Sequence, residues 1–143
     1  MARYRTTVES KLPPAEAFAY MADFANARAW DPSVSEASRV DEGALEVGST
    51  FDLVARFAGR DVPLRYRIVS FEPPHRVVLE AHRPGFVSRD TITVEPAEHG
   101  SKVHYDALLA FSGLGRLFDP IMQRIFNRVG AQATAGMEAA LNP

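Results

Sequence analysis

The chain has 143 residues, no cysteine and a formal net charge of −2. That length fits one domain spanning residues 1–143, and the missing cysteine excludes disulfides, thiol nucleophiles and cysteine metal sites. There is no basic excess to suggest nucleic acid, no run near the ~20 apolar residues of a membrane span, and no apolar signal core after Met1-Ala2-Arg3-Tyr4-Arg5, so the expected location is cytoplasmic.

In chain order, residues 3–11 read as a strand in which Tyr4, Thr6, Val8 and Ser10 alternate with Arg3, Arg5, Thr7 and Glu9. Leu12-Pro13-Pro14 stops it, and Ser10 or the proline pair opens a short helix over about 15–22, with Phe18, Met21 and Ala22 on one face. Asp23 can cap a second short helix through Ala29. Pro32 then forces Asp31 out of the helical region. Residues 33–41 form a polar edge strand. A stronger strand over 49–57 carries Phe51, Leu53, Ala55 and Phe57 on one face, and Ala58-Gly59-Arg60 is a tight hairpin signal. Residues 61–71 put Val62, Leu64, Tyr66 and Ile68 on one side, Arg65 and Arg67 on the other. After Glu72-Pro73-Pro74, the strand over 76–82 has a mixed pattern. After Arg83-Pro84-Gly85, residues 86–95 place Ser88, Asp90, Ile92 and Val94 together. The longest strand, 101–111, does the same for Val103, Tyr105, Ala107, Leu109 and Phe111.

The tail is helical. Leu114, Leu117, Phe118, Ile121, Met122, Ile125, Phe126 and Val129 follow the i, i+3, i+4, i+7 spacing of one face. Pro120 interrupts that pattern. Asp119-Pro120 therefore reads as an N-cap and first helical residue, giving a main helix at about 120–141 after a separate turn at about 114–118. Gly113 and Gly115 let the chain bend there. Toward Ala133, Gly136, Met137, Ala140 and Leu141 the side chains shrink, which lets the backbone approach its sheet. The bulky half, near Phe118, Met122 and Phe126, is where a cavity would sit. A long helix must bury its stripe, and short connections between strands imply antiparallel hairpins. The expected fold is α+β: a seven-stranded curved antiparallel sheet wrapped around a long C-terminal helix, with two short helices between strands one and two.

Several passages carry a resemblance. They are Lys11-Leu12-Pro13-Pro14-Ala15-Glu16-Ala17-Phe18, Asp23-Phe24 followed by Trp30-Asp31-Pro32, Glu46-Val47-Gly48-Ser49, the segment from Arg67 through Pro73-Pro74 to Arg76, and the closing segment from Gly113 through Pro120 to Glu138. In this order and spacing the chain resembles the START-like (SRPBCC) helix-grip superfamily, in particular its polyketide cyclase/dehydrase-like bacterial proteins. The resemblance implies the helix-grip fold and a deep apolar cavity. It does not imply one activity, because such folds host unrelated functions. No invariant catalytic motif is matched, so no catalytic residue is carried over.

Among residues able to do chemistry, His75 and His99 lie in turns, His104 alternates out of phase with its apolar neighbours, and His82 sits on the strand without a clean period. No metal-ligand spacing and no nucleophile elbow occurs, so neither metal nor cofactor is expected. Tyr66, Asp90 and Tyr105 each share a strand face with apolar neighbours. A buried polar group must find a partner or lose roughly 2–7 kcal/mol of hydration. These three either line the cavity and orient a ligand, with Asp90 as candidate acid or base, or Asp90 pairs structurally with Arg89, Arg65 or a turn backbone. Trp30 either caps the pocket mouth or closes the core. The candidate ligand-binding set is Trp30, Phe51, Tyr66, His82, Asp90, Tyr105, Phe118, Met122 and Phe126, with Phe24 and Phe86 as further gate candidates. Three functions compete. One is binding of a hydrophobic small molecule such as a lipid, polyketide or isoprenoid. Another is a cyclase or dehydratase using pocket acid–base groups. The third is a protein-interaction module with a filled core. Oligomeric state stays open, a homodimer included.

Overall fold

A computed structural model describes residues 1–143. Seven strands form one antiparallel sheet: β1 (Ala2–Ser10), β2 (Val34–Arg39), β3 (Thr50–Phe57), β4 (Arg60–Glu72), β5 (Arg76–Arg83), β6 (Phe86–Ala97) and β7 (Gly100–Phe111). Their spatial order is β1-β7-β6-β5-β4-β3-β2, so every neighbouring pair but β1–β7 is also consecutive in the chain. Between β1 and β2 lie α1 (Pro14–Ala22), a 3-10 turn (Phe24–Asn26) and α2 (Ala27–Trp30). A second 3-10 turn (Gly113–Phe118) leads into the closing helix α3 (Asp119–Ala140). The expected fold and all seven strands are present.

Local chemistry explains the punctuation. The proline pair opens α1, since Pro13 supplies the cap position with no side-chain bond and Pro14 is the first helical residue. Ser10 does not cap it. Its hydroxyl donates to the Leu141 carbonyl at 2.7 Å instead. Asp23 Oδ1 accepts from the Ala25 amide and starts the 3-10 turn. At the β3–β4 hairpin both Ala58 (φ 53°) and Gly59 (φ 77°) adopt left-handed backbone, as a two-residue turn with matching twist requires.

α3 departs from the expectation in two ways. Asp119 is its first residue and makes no capping bond; its carboxylate pairs instead with the Met1 amino group. The buried side of the helix is also not its bulky end. Gly130, Ala133 and Met137 are buried within α3, with Leu141 directly after it, whereas Leu114, Leu117, Phe118 and Ile121 are exposed. The apolar period continues along the tail, but the contact does not. The small-residue half can come close: a Cβ on Gly130 would stand 2.3 Å from the Tyr4 ring, and one on Gly136 would stand 1.9 Å from the Trp30 carbonyl oxygen.

Side-chain amides fasten α3 along the open edge of β1. Gln123 accepts from the Arg3 amide at 2.8 Å and donates to the Arg3 carbonyl at 2.7 Å. Asn142 accepts from the Lys11 amide and donates to the Glu9 carbonyl, both at 2.9 Å. Edge groups that would otherwise invite another strand are satisfied in this way.

Gly136→Ala forces a methyl group into the Trp30 backbone. Overpacking of this kind typically costs about 1–3 kcal/mol, so a clear fall in Tm is expected by thermal circular dichroism. An unchanged Tm would mean that α3 and α2 are not in close contact.

Candidate ligand-binding cavity

The distance between the sheet and the bulky end of α3 leaves a cavity of about 470 Å³, lined by 28 residues of which 21 are hydrophobic. That size and lining suit a small organic ligand. Its walls come from the inward faces of β3, β4, β6 and β7, from α2, and from Met122, Phe126, Val129, Gly130 and Ala133 of α3. The alternation read from the sequence puts Leu53, Ala55 and Phe57, Val62, Leu64 and Tyr66, Ser88 and Asp90, and Tyr105, Ala107 and Leu109 on this side.

Polar groups gather among Trp30, Tyr66, Asp90 and Tyr105. Asp90 is only 5% exposed, and the Tyr105 hydroxyl donates to its Oδ2 at 2.7 Å. The Tyr66 and Ser88 hydroxyls bond each other at 2.7 Å. Asp31, between α2 and β2, also lines the cavity, and its Oδ1 accepts from both the amide (2.9 Å) and the hydroxyl (2.7 Å) of Ser33. Trp30 packs edge-on to Tyr105 with ring centroids 5.5 Å apart. Its buried Nε1 has no hydrogen-bond partner.

The electrostatics follow from burial. Desolvation pushes the Asp90 carboxyl up to about 7, against the Tyr105 hydrogen bond, which favours the charged form; Asp31 and Asp106 push it further up. Burial also raises Asp31, against its Ser33 bonds, and holds both Tyr66 and Tyr105 well above the ordinary phenol value. No arginine pairs with Asp90 or Asp31. Arg65 pairs with Asp52 (2.7 Å) and Arg89 with Glu80, both on the outer face of the sheet. The partner of Asp90 is a phenol, not a cation.

Of the residues singled out in the sequence, Trp30, Tyr66, Asp90, Tyr105, Met122 and Phe126 line this one cavity, together with Phe24 and Phe86. Three do not. Phe51 is fully buried in the core, 6.3 Å from the Phe24 ring. Phe118 is exposed beyond the cavity rim. His82 lies on the outer face, exposed, with Nε2 3.0 Å from Glu80 Oε1; its strand carries apolar side chains on both faces near Val77 and Val78, which hid the phase. Asp31 and Ser88 were missed. Ser88 shares the inward face of Asp90, and Asp31 carries a recognisable Asp-Pro-Ser turn signal, read only as a helix stop.

The family described as polyketide cyclase/dehydrase and lipid transport matches residues 1–142. The chain belongs to this family. Toxin Rv0910 of Mycobacterium tuberculosis is 30% identical over 112 residues, covering 76% of each chain. Among solved structures, a START superfamily protein from Mycobacterium smegmatis superposes with a TM-score of 0.80 at 10% identity, covering 99% of this chain and 97% of its own. The Zhui aromatase/cyclase from Streptomyces sp. R1128 does so with a TM-score of 0.73 at 12% identity, covering 97% and 92%. At such identities these structures speak to the fold alone. No three His, Asp or Glu side chains of this family member come together as a metal site would need, and no helix is long and apolar enough to cross a membrane.

A carboxyl whose folded pKa lies above its unfolded value favours the fold at low pH. That advantage is lost as pH rises. For Asp90 the window runs from about pH 4 to about 7, with a slope of up to about 1.4 kcal/mol per pH unit. The outer-face carboxylates Asp52 and Asp106, held low by Arg65 and Arg3, act in the opposite sense as pH falls below their ordinary range. Asp90→Asn keeps an acceptor for Tyr105 and removes the titration. Its stability relative to wild type should therefore grow between pH 4 and 7 and level off above, read as Tm against pH. Parallel curves would mean that Asp90 is not desolvated.

Proposed function

We propose that the protein binds a hydrophobic small molecule in the cavity between sheet and α3, with the ligand's polar end at Asp90 and Tyr105. The observation that carries this reading is an apolar cavity of about 470 Å³ whose buried polar groups are the Asp90 carboxyl, the Tyr66, Ser88 and Tyr105 hydroxyls and Trp30 Nε1, with no basic side chain buried among them. Arg56 and Arg60, which also line it, belong to the β3–β4 hairpin. A hydroxyl fits the interior: it can donate to a carboxylate and accept from the unpartnered Trp30 Nε1. A carboxylate there would face Asp31 and Asp90. Membership of a lipid transport family supports the same ligand class.

A catalytic reading is favoured by one feature. Asp90, poised near neutrality and hydrogen-bonded by Tyr105, has the properties of a general acid or base. In that reading the apolar walls orient a polyketide-like substrate, and Asp90 moves the proton.

Binding is tested with a matched pair, dodecanol and dodecanoic acid, by calorimetry at pH 7. The alcohol is expected to bind at least tenfold more tightly. Ala107→Phe, which fills the space beside Asp90, should abolish binding while the variant still unfolds in one cooperative transition. Binding that survives this substitution would move the ligand elsewhere. Asp90→Asn distinguishes the two readings, because a binder retains most of its affinity whereas an enzyme keeps its substrate and loses turnover. The toxin name of the mycobacterial relative adds a cellular expectation. Sequestration of a needed ligand slows growth, so induced wild type inhibits and Ala107→Phe does not; equal inhibition by both would separate any toxicity from the cavity.

A further inference from the structure

Four large apolar side chains have no place in the core. Leu114, Leu117, Phe118 and Ile121 are 80%, 75%, 53% and 58% exposed. Single exposed leucines are ordinary, but a cluster on one short segment marks an interaction surface. This segment adjoins the cavity. The Ser112 amide donates to the Gly85 carbonyl at 2.9 Å, and the Phe86 and Phe111 rings, both cavity-lining, stand 6.0 Å apart at that junction. Met122 and Phe126, next along α3, line the cavity from inside.

The charge around the patch has one sign. Residues 113–128 carry Arg116, Arg124 and Arg128 against a single acid, Asp119, and Asp119 is already paired with the Met1 amino group. None of the three arginines is in an ion pair, and neither is Arg60 of the β3–β4 hairpin; the nearby Asp61 pairs with Arg56 at 3.7 Å. The whole chain is nonetheless acidic, at −2. Unpaired arginines bordering exposed leucine, isoleucine and phenylalanine match an interface of acyl chains under anionic phosphates. A second copy fits less well, because a two-fold interface would bring the same arginines of both copies together.

We propose that this patch docks on an anionic bilayer surface and sets the cavity mouth against lipid. The docking is peripheral, since no helix is long and apolar enough to cross a membrane. The four apolar side chains enter the headgroup–acyl boundary, and Arg116, Arg124 and Arg128 lie at phosphate level. This goes beyond the ligand reading by assigning where a ligand is exchanged.

The test is co-sedimentation with vesicles of phosphatidylglycerol and phosphatidylcholine in equal parts, compared with phosphatidylcholine alone. Wild type is expected to prefer the anionic vesicles at least tenfold. The preference should weaken at about 1 M salt, where screening acts within about 3 Å. Combined Leu114→Ser, Leu117→Ser, Phe118→Ser and Ile121→Ser should cut vesicle binding at least tenfold while Tm and dodecanol binding stay unchanged. Combined Arg116→Gln, Arg124→Gln and Arg128→Gln should lose the anionic preference, on the order of a hundredfold at about fivefold per arginine. Wild type that ignores anionic vesicles, or a serine variant that binds as well as wild type, overturns the proposal. So does a wild-type dimer that the serine substitutions dissociate, since the patch would then be a subunit interface. Dodecanol binding without vesicle binding rejects the docking and leaves the cavity reading intact.

Discussion

Two glycines on one helix set the geometry of the whole molecule. At Gly130 and Gly136 the backbone of α3 meets the Tyr4 ring and the Trp30 carbonyl at distances no side chain would permit. This pins the far half of the helix to β1 and α2, and Gln123 and Asn142 hold it there by completing the edge of β1. With one half pinned, the bulky half stands over the concave sheet and cannot fill it. The cavity is thus a consequence of where the helix is close, and the residues that create it are mostly not those that line it.

The sheet separates charge into two environments. On its outer face, carboxylates such as Asp52 and Asp106 sit beside arginines that favour their ionised form. Exposed pairs of this kind contribute little to stability. On its inner face, Asp90 has only a phenol for a partner and pays for its burial with a pKa near neutrality. Residues of identical chemistry, one strand position apart in phase, therefore play opposite parts. Burial disfavours the charged forms of both Asp90 and Asp31.

The start of the tail adds a third environment to the other two. There the apolar wall of the cavity continues outward into side chains that the core does not cover, and the surrounding arginines find no acids. A helix stripe is normally continuous because one partner surface covers it. Here the tail changes partner part-way along: protein beyond Phe126, open space before Met122.

Alternation of side chains was enough to place Tyr66, Ser88, Asp90 and Tyr105 on one face, because the pleat has a period of two, no bulge intervenes within the β6–β7 pairing, and the register shift in β4 falls after Tyr66, between Ile68 and Ser70. The seven strands, the proline-opened α1 and the late helix were legible for the same reason: their signals are local, in proline, glycine and periodicity. His82 was misplaced where a strand is apolar on both faces and carries no phase. Phe118 was misplaced because periodicity says which residues share a face but not what that face meets. Asp31 carries the local signal of a helix stop, and nothing local tells that a turn residue will project beside a strand distant in sequence. The sequence by itself thus determined the elements, their order and the inward register of the sheet. Only the tertiary structure decided which half of α3 is in contact, how much space remains beneath it, and that Asp31, Asp90 and Trp30 meet there. Those outcomes depend on distances between segments far apart in the chain, and periodicity carries no information about distance.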